Sequence, residues 1–409
     1  MISSTPSRGA AMWALLSLAV GSFGIGMTEF VVMGLLPDIA ADLLPATWAA
    51  SPEDAVAHAG WLITLYALGV VIGAPTIAGA VAKYPRHRVM LALAAALTVG
   101  NALTLVAPTF ELVAASRVLA GLPHGAYFGI GALVAADVMG PGNRAKGVAF
   151  VLTGLTVANV VGVPLGTFLG QSFGWRVAFL VVALIFALAA VMIALTVPAH
   201  AGDPGRTLRA ELGALRIGQV WLTLGVGAIG FGGFFAAYSY VASIVTEVAG
   251  APSAVVPVIL IVMGLGMTIG NLVGGHLADR DLKRTMQGGL AALVVVQVLL
   301  ALSAGLLLTL RVFIFLVGFV SSVLSPSIQT RLMDVAGDNQ SIAAALNHSA
   351  LNIGNASGAF LGGVVIAAGF GFVAPVWVGA LLAASGLVLA LVSFGIEARA
   401  TRRAVHPAG

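Results

Sequence analysis

The stretch MWALLSLAVGSFGIGMTEFVVMGLL, residues 12–36, contains a single charged side chain, Glu29. A helix of about 20 apolar residues is long enough to cross the hydrocarbon core of a bilayer. A charged side chain inside such a segment is costly, and it usually faces a cavity or another polar group. The stretch therefore predicts a transmembrane helix with one functional acid in its interior.

The rest of the chain is also predominantly apolar. Of its 409 residues, 60% are hydrophobic and only 8% are charged, whereas an ordinary soluble domain has about 25% charged residues. This composition excludes a soluble globular protein and predicts an all-α membrane protein. Twelve transmembrane helices are predicted, at residues 12–36, 61–81, 89–107, 111–136, 147–171, 175–197, 219–247, 254–278, 286–307, 311–333, 340–368 and 374–396.

The basic residues indicate how the chain is oriented. Of the 19 Lys and Arg residues, sixteen fall on one side of the predicted membrane, Arg176 and Arg311 fall on the other, and Arg117 lies inside a span. Basic residues accumulate in cytoplasmic loops. We therefore expect a multi-pass protein of the cytoplasmic membrane with both termini in the cytoplasm, and an even number of spans agrees with this. The ninth and tenth spans are expected to separate near Arg311.

An internal repeat predicts two halves. When the chain is shifted by 196 residues, Asn159 falls on Asn355 within two similar Asn-x-x-Gly-x-x-Leu-Gly stretches, and Arg88 falls on Arg284. We expect two pseudo-symmetric six-helix bundles, residues 1–197 and 219–409, joined by a cytoplasmic linker at 198–218. In transporters built from such repeats the substrate site lies between the halves, near the membrane midplane.

Two ionisable residues are expected at similar depth in this interior. Glu29 lies roughly 12 Å from the outer end of its span and Arg117 roughly 9 Å from the outer end of the fourth span. One interpretation is a static ion pair that only fixes helix packing. The other is that Glu29 alternates between a proton and the substrate or Arg117, because loss of hydration favours the neutral acid whereas a nearby guanidinium favours the carboxylate.

Further polar residues on the spans are candidates for substrate binding. His124 lies seven residues after Arg117, on the same helix face, and acts either as a hydrogen-bonded structural residue or as a proton relay. Asn159, Asn352 and Asn355 either line a cavity or form interhelical hydrogen bonds.

Aromatic residues of the seventh span are a second set of candidates. They follow the spacing i, i+3, i+4, i+7 of one helix face and comprise Phe231, Phe234, Phe235 and Tyr238. They are either lipid-facing or packed aromatics, or a stacking wall for an aromatic substrate. Tyr66 in the second span is a weaker candidate of the same kind.

Several functional classes have no support in the sequence. The chain has no cysteine, which excludes disulfides and thiolate chemistry. No Walker A, H-E-x-x-H or G-x-S-x-G motif is present, so an ATPase, a zinc protease or a serine hydrolase is not predicted. The dispersed basic residues do not form a nucleic-acid site. We expect a transporter rather than an enzyme, with no metal and no cofactor, driven by the proton gradient.

Five stretches of the chain match motifs of one family of membrane transporters. GMTEFVVMGLLPDIAADL (26–43) resembles the first span of chloramphenicol and sugar or nucleoside exporters. RVLAGLPHGAYFGIGA (117–132) is similar to the family's motif B, and GLTVANVVGVPLGTFLG (154–170) to its motif C, in which Pro164 predicts a kink. GAVAKYPRHR (79–88) and GHLADRDLKR (275–284) resemble two copies of motif A, the first with Lys83 in place of the family's Asp.

On these motifs the chain resembles the drug:proton antiporters of the major facilitator superfamily. The resemblance implies the major facilitator fold and export of a small amphipathic compound, such as a chloramphenicol-like drug, in exchange for protons by alternating access. It implies a proton-coupling role for Glu29 and Arg117, and a monomer in the lipid bilayer. Residues of the motif A loops are implied to gate the cytoplasmic side: Arg86, Arg88, Asp279, Arg280 and Arg284. Alternatives are a proton-coupled exporter of sugars, purines or nucleosides, a passive facilitator or uptake carrier, and a membrane sensor.

Overall fold

The computed structural model describes residues 8–81, 84–140, 143–199, 216–336 and 340–405. Within these residues the protein is helical without strands, and twelve helices are long and apolar enough to cross a membrane. The predicted all-α membrane fold is therefore confirmed. The membrane helices are α1 (Arg8–Leu43), α2 (Trp61–Val81), α3 (Arg86–Val106), α4 (Phe110–Met139), α5 (Arg144–Val157, Ala158–Gly162 and Val163–Phe173), α6 (Trp175–Thr196), α7 (Gly218–Gly225, Val226–Gly230, Gly232–Tyr238, Val241–Ser243 and Ile244–Val248), α8 (Val256–Arg280), α9 (Leu282–Ser303), α10 (Leu307–Ala336), α11 (Gln340–Val365 and Ile366–Phe370) and α12 (Ala374–Val405).

The connection between α1 and α2 is more helical than the sequence suggested. The predicted first span ends at Leu36, but α1 continues through Pro37 to Leu43, because membrane helices tolerate proline where neighbouring helices support the backbone. Two short helices follow, Pro45–Ala50 and Pro52–Ala59. Each begins with proline, whose missing N–H is not needed in the first helical turn.

The separation between α9 and α10 was predicted too far along the chain. The break lies at Ala304–Leu306, and Arg311 belongs to α10, where it is exposed. The hydroxyl of Thr309 donates to the Ser303 carbonyl at 2.7 Å, which joins the two helix ends. Arg311 does not mark the end of a helix. The turn is formed by the segment that contains Gly305 and by the hydrogen bond from Thr309.

Within the described residues, three of the membrane helices contain π-helical segments. In α5, a π-helical segment, Ala158–Gly162, lies directly before Pro164, the residue at which the sequence predicted a kink. Proline cannot donate the usual backbone hydrogen bond, and single π-helical turns often mark functional sites. The other π-helical segments lie in α7 and at the end of α11.

The helices pack in two groups of six. Helix α2 packs against α4, and α3 packs against α4 and α6, whereas α8 packs against α10, and α9 against α10 and α12. The seam between the groups is formed mainly by α2 with α11 and by α5 with α8. Residues 200–215 of the predicted linker lie outside the described residues, and the predicted domain boundaries stay a prediction. We call the face that holds the start of α1 and the end of α12 the terminal face, and the other the opposite face.

Candidate functional site

Glu29 lies on α1 at the seam between the two groups of helices. It is 6% exposed, and its Oε1 accepts a hydrogen bond of 3.0 Å from Nδ2 of Asn355 on α11. The amide of Asn355 is fully buried. A buried charge must be compensated by hydrogen bonds or by a partner charge, and here the compensation comes from a neutral amide of the other six-helix group.

Arg117 is buried close to Glu29 but is bonded elsewhere. Its Nη1 donates to the Thr28 hydroxyl at 2.9 Å and its Nη2 donates to the Thr28 carbonyl at 2.8 Å. The hydroxyl in turn donates to Oδ1 of Asn101 on α3 at 2.6 Å. The guanidinium also lies 4.1 Å above the ring of Tyr66, a favourable cation–π geometry.

The static ion pair between Glu29 and Arg117 is therefore wrong as a description of this structure. The four ion pairs of the described residues do not include it. Hydrogen bonds from a charged donor are about twice as strong as neutral ones, so Thr28 holds the arginine firmly to the backbone of α1. The positive charge of Arg117 acts on Glu29 electrostatically, but no hydrogen bond or ion pair joins the guanidinium to the carboxylate.

His124 and Tyr66 form a second polar pair, on α4 and α2. The Tyr66 hydroxyl and Nδ1 of His124 are 3.1 Å apart, and both residues are buried. The His124 ring lies 5.4 Å from the ring of Phe128, which stacks on His348 of α11 at 5.3 Å with nearly parallel planes. Tyr66 was expected as a wall for the substrate, but its face is covered by Arg117 and its hydroxyl is engaged by His124.

The predicted aromatic residues of α7 do come together. Phe231, Phe234, Phe235 and Tyr238 are all buried and contact one another, so the lipid-facing interpretation is wrong. Phe30 extends the cluster to α1, stacking on Tyr238 with ring centroids 5.5 Å apart. Glu29 is close enough to Tyr238 for the two groups to interact electrostatically, so the acid lies beside this aromatic cluster.

The three predicted asparagines differ in their partners. Asn355 bonds across the seam, whereas Asn159 donates to the Leu155 carbonyl at 3.2 Å and Asn352 donates to the His348 carbonyl at 3.0 Å, each within its own helix. All three are buried, and the Oδ1 atom of each has no hydrogen-bond partner. Buried acceptors without a donor are uncommon in folded proteins.

The structure thus brings most of the predicted site residues to one part of the seam. Glu29, Arg117, Tyr66 and His124 come from α1, α2 and α4, and they meet Asn355 of α11 and the aromatic cluster of α7. Asn159 lies in the π-helical segment of α5, which packs against both α1 and α8. Among the described residues, no three His, Asp or Glu side chains group as a metal site requires.

The predicted gating residues lie near the terminal face and do not bridge the halves. Arg86 forms an ion pair with Asp137 of α4, in the same six-helix group. Arg284 Nε lies 3.3 Å from Asp281 Oδ2, one turn of α9 away. Arg88, Asp279 and Arg280 are exposed, and Lys83 lies outside the described residues. The gating role stays a prediction.

Sequence reasoning missed the residues that hold the site in place. Thr28, Asn101 and His348 were not singled out, although Asn101 and His348 are polar residues in apolar helices, a signal of function or of buried hydrogen bonding. Thr28 gives no such signal, because a threonine satisfies its hydroxyl within any helix. Its role follows from the backbone carbonyl that it presents to Arg117.

Comparison with known proteins agrees with this architecture. A sequence profile described as the Major Facilitator Superfamily matches residues 18–280 and 222–407. The Inner membrane transport protein YdhP of Escherichia coli strain K12 is 35% identical over 381 residues, which cover 93% of this chain and 96% of that protein. A Chloramphenicol resistance protein of Streptomyces lividans is 31% identical over 377 residues, covering 91% of this chain and 94% of its own length.

A solved structure shows the same fold. It is that of a bacterial homologue of the human lysosomal transporter Spinster, in an inward-facing and unoccupied conformation. It superposes with a TM-score of 0.70, covering 95% of this chain and 98% of its own, at 14% identity. At this identity the likeness is one of fold alone.

Proposed function

Because the chain belongs to the major facilitator superfamily and is a multi-pass membrane transporter, we propose that it exports a small amphipathic compound in exchange for protons. A chloramphenicol-like drug is the leading substrate of this proposal, and one relative is named a chloramphenicol resistance protein. The aromatic cluster beside Glu29 supports a substrate with an apolar or aromatic part.

The observation that carries the proposal is the partnership of Glu29. The acid is buried, its hydrogen-bond partner is the neutral amide of Asn355, and the nearby Arg117 is engaged by Thr28. A carboxylate locked in an ion pair would keep its charge throughout a transport cycle. An acid held by an amide can gain and lose a proton without leaving a cation unpaired, which is what proton coupling requires.

The position of this hydrogen bond also links protonation to movement of the halves. Ionised Glu29 accepts from Asn355 across the seam, and a bond to a charged acceptor is about twice as strong as a neutral one. A proton on Glu29 weakens this bond and favours separation of α1 from α11. Alternating access in such folds is largely rocking of one bundle against the other around a central site.

In this proposal the remaining residues have supporting roles. Arg117 adjusts the charge balance at Glu29, and Tyr66 and His124 complete the polar pocket. Phe231, Phe234, Phe235 and Tyr238 contact the apolar part of the substrate. The loops of Arg86, Arg88, Asp279, Arg280 and Arg284 gate the terminal face, and the protein acts as a monomer without a cofactor.

The membrane orientation is part of the same proposal. The terminal face carries most of the basic residues, so it is the cytoplasmic face of the cytoplasmic membrane under the positive-inside rule. The YdhP relative is named an inner membrane protein. Export then carries the substrate from the terminal face to the opposite face.

A more polar substrate is the second candidate. The unpaired Oδ1 atoms of Asn159, Asn352 and Asn355 favour a compound with hydroxyl or N–H groups, which sugars, purines and nucleosides also have. Both candidates use the same coupling acid, so they differ only in the ligand.

Reconstitution into proteoliposomes with an imposed pH gradient tests the proposal. Chloramphenicol, and then a panel of nucleosides and sugars, is added while proton flux is recorded for wild type, Glu29→Gln and Glu247→Gln. Glu247 is an exposed acid at the far end of α7 and serves as a matched control. We expect substrate-triggered proton flux in wild type and Glu247→Gln and its loss in Glu29→Gln. Equal substrate movement in all three without proton flux would identify a facilitator instead.

A further inference from the structure

The amide orientations of two asparagines on α11 are determined by their partners. Nδ2 of Asn352 donates to the backbone carbonyl of His348, and Nδ2 of Asn355 donates to the carboxylate of Glu29. A carbonyl and a carboxylate can only accept, so the NH₂ group of each amide must face them. The Oδ1 atom of each side chain is thereby directed away from these partners, and neither has a donor.

Both asparagines belong to one stripe of α11 that faces the other half. His348, Asn352 and Asn355 are spaced i, i+4 and i+7, which places them on the same side of a helix. The stripe is bounded by two contacts with the other six-helix group, the His348 stack on Phe128 and the Asn355 bond to Glu29. Asn352 lies between these contacts, and only 5% of its surface is exposed.

The stripe therefore presents hydrogen-bond acceptors without donors. An unsatisfied acceptor in an apolar interior is unfavourable, so a ligand donor that reaches it adds binding free energy. Residues three apart on a helix have Cβ atoms about 5–6 Å apart. A ligand with two N–H or O–H groups at similar spacing would satisfy both oxygens at once.

We propose that Asn352 and Asn355 of α11 determine specificity by accepting hydrogen bonds from the substrate, which is a neutral or weakly charged compound with at least two hydroxyl or amide N–H donors. This inference rests on the proposed function, since it requires that the transported compound enters the seam beside Glu29. Under this proposal the protein binds amphipathic compounds with several donors more tightly than lipophilic cations that carry no N–H or O–H group. Asn352 is the more informative residue, because its own donor is satisfied within α11 and Glu29 does not depend on it.

Equilibrium binding to the detergent-purified protein, without a pH gradient, tests the inference. The probes are two matched pairs, chloramphenicol with its di-O-methyl ether and uridine with its tri-O-methyl ether, together with tetraphenylphosphonium. Methylation removes hydroxyl donors while keeping the scaffold. The proteins are wild type, Asn352→Leu and, as a control, Asn271→Leu, which replaces an exposed asparagine of α8.

We expect wild type and Asn271→Leu to bind at least one parent compound about tenfold more tightly than its methylated partner. In Asn352→Leu this ratio should fall well below the wild-type ratio, because Asn355 alone remains as an acceptor. Equal binding of parent and methylated compounds by wild type would overturn the inference even if the variant does not fold. So would a ratio that survives in Asn352→Leu, a failure of both parents to bind, or preferred binding of tetraphenylphosphonium. The binding assay uses no pH gradient, so its result does not depend on proton coupling. If wild type prefers the parent compounds but Glu29→Gln still shows substrate-triggered proton flux, only the proposed function is overturned.

Discussion

Asn159 and Asn355 occupy equivalent positions of the internal repeat, yet they form different contacts. They are 196 residues apart, on α5 and α11, and both are buried with an unpaired Oδ1. Asn355 donates across the seam to Glu29, whereas Asn159 donates to Leu155 of its own helix and lies beside Gly264 of α8. The repeat supplies the same helix position twice, but only one copy faces an acid.

The same asymmetry holds for the two halves. The first half contributes Glu29, Arg117 and His124 to the site, while α7 and α11 contribute aromatic rings, amides and His348. Helix α7 has no carboxylate before Glu247. Pseudo-symmetry therefore explains the scaffold, whereas the buried acid and arginine of the site both come from the first half.

The largest effect is expected on the charged side of this comparison, from Arg117→Met. The change removes two hydrogen bonds from a charged donor to Thr28, each worth about 1.5–3 kcal/mol. We expect the free energy of unfolding in detergent to fall by about 3 kcal/mol or more. Arg311→Met, at an exposed position of α10, is the control. Equal stability of the two variants would show that the Thr28 contacts do not anchor α1.

The next largest effect is expected on proton flux, from substitution of the two equivalent asparagines. In Asn355→Leu the buried carboxylate of Glu29 loses its donor, and we expect substrate-driven proton flux to fall by about tenfold to a hundredfold. Asn159→Leu removes only a bond within α5 and should reduce flux by less than about tenfold. Flux is measured in the same proteoliposomes for both. Equal losses of proton flux in the two variants would show that the two asparagines have the same role.

A glycine substitution tests the part of the seam that α5 and α8 form. A Cβ at Gly264 would overlap the backbone of Asn159, whereas a Cβ at Gly275, on the same helix, meets nothing within contact distance. Overpacking costs about 1–3 kcal/mol, so Gly264→Ala should lower thermal stability and Gly275→Ala should not. If the two variants melt alike, α5 and α8 adjust freely, and close backbone approach does not constrain this seam.

The smallest effect is expected at the terminal face. Arg86 and Asp137 are partly exposed, with side chains 21% and 32% accessible, and such pairs contribute about 0.2–1 kcal/mol. A double-mutant cycle of Arg86→Ala and Asp137→Ala should give a coupling energy in this range. Asp279→Ala, in the second copy of the loop, should leave stability unchanged. A coupling energy near zero would show that this ion pair does not stabilise the first loop.

Much of the fold was predictable because it follows from composition. The span from Trp61 and the span from Trp175 begin at the predicted residues, since apolar length and flanking turns determine both. The end of α1 and the turn before Arg311 were misplaced. Helix α1 accommodates Pro37 and continues beyond it, and a hydrogen bond from Thr309 closes the turn before α10. Hydropathy does not register either feature.

The site was predictable as a set of residues but not as a set of contacts. Glu29 stands out because an acid in an apolar helix is costly, and Arg117 for the same reason. That Arg117 binds Thr28, and that Glu29 binds Asn355, depends on how each helix is rotated about its axis. A change of one residue in register turns a side chain by about 100°, which is more than enough to exchange one partner for another.

Composition and local sequence were enough to predict that this protein lies in a membrane, that it has twelve spans, and that Glu29 and Arg117 lie in its interior. These properties are sums over local residues, because transfer of each side chain to the bilayer depends little on distant parts of the chain. The contacts follow only from the folded arrangement of the helices, in which Glu29 forms no ion pair with Arg117, α11 supplies its hydrogen-bond donor, and Asn352 keeps an unpaired acceptor. Those outcomes depend on distances of a few ångströms between helices far apart in the chain, which are set by the packing of all twelve together.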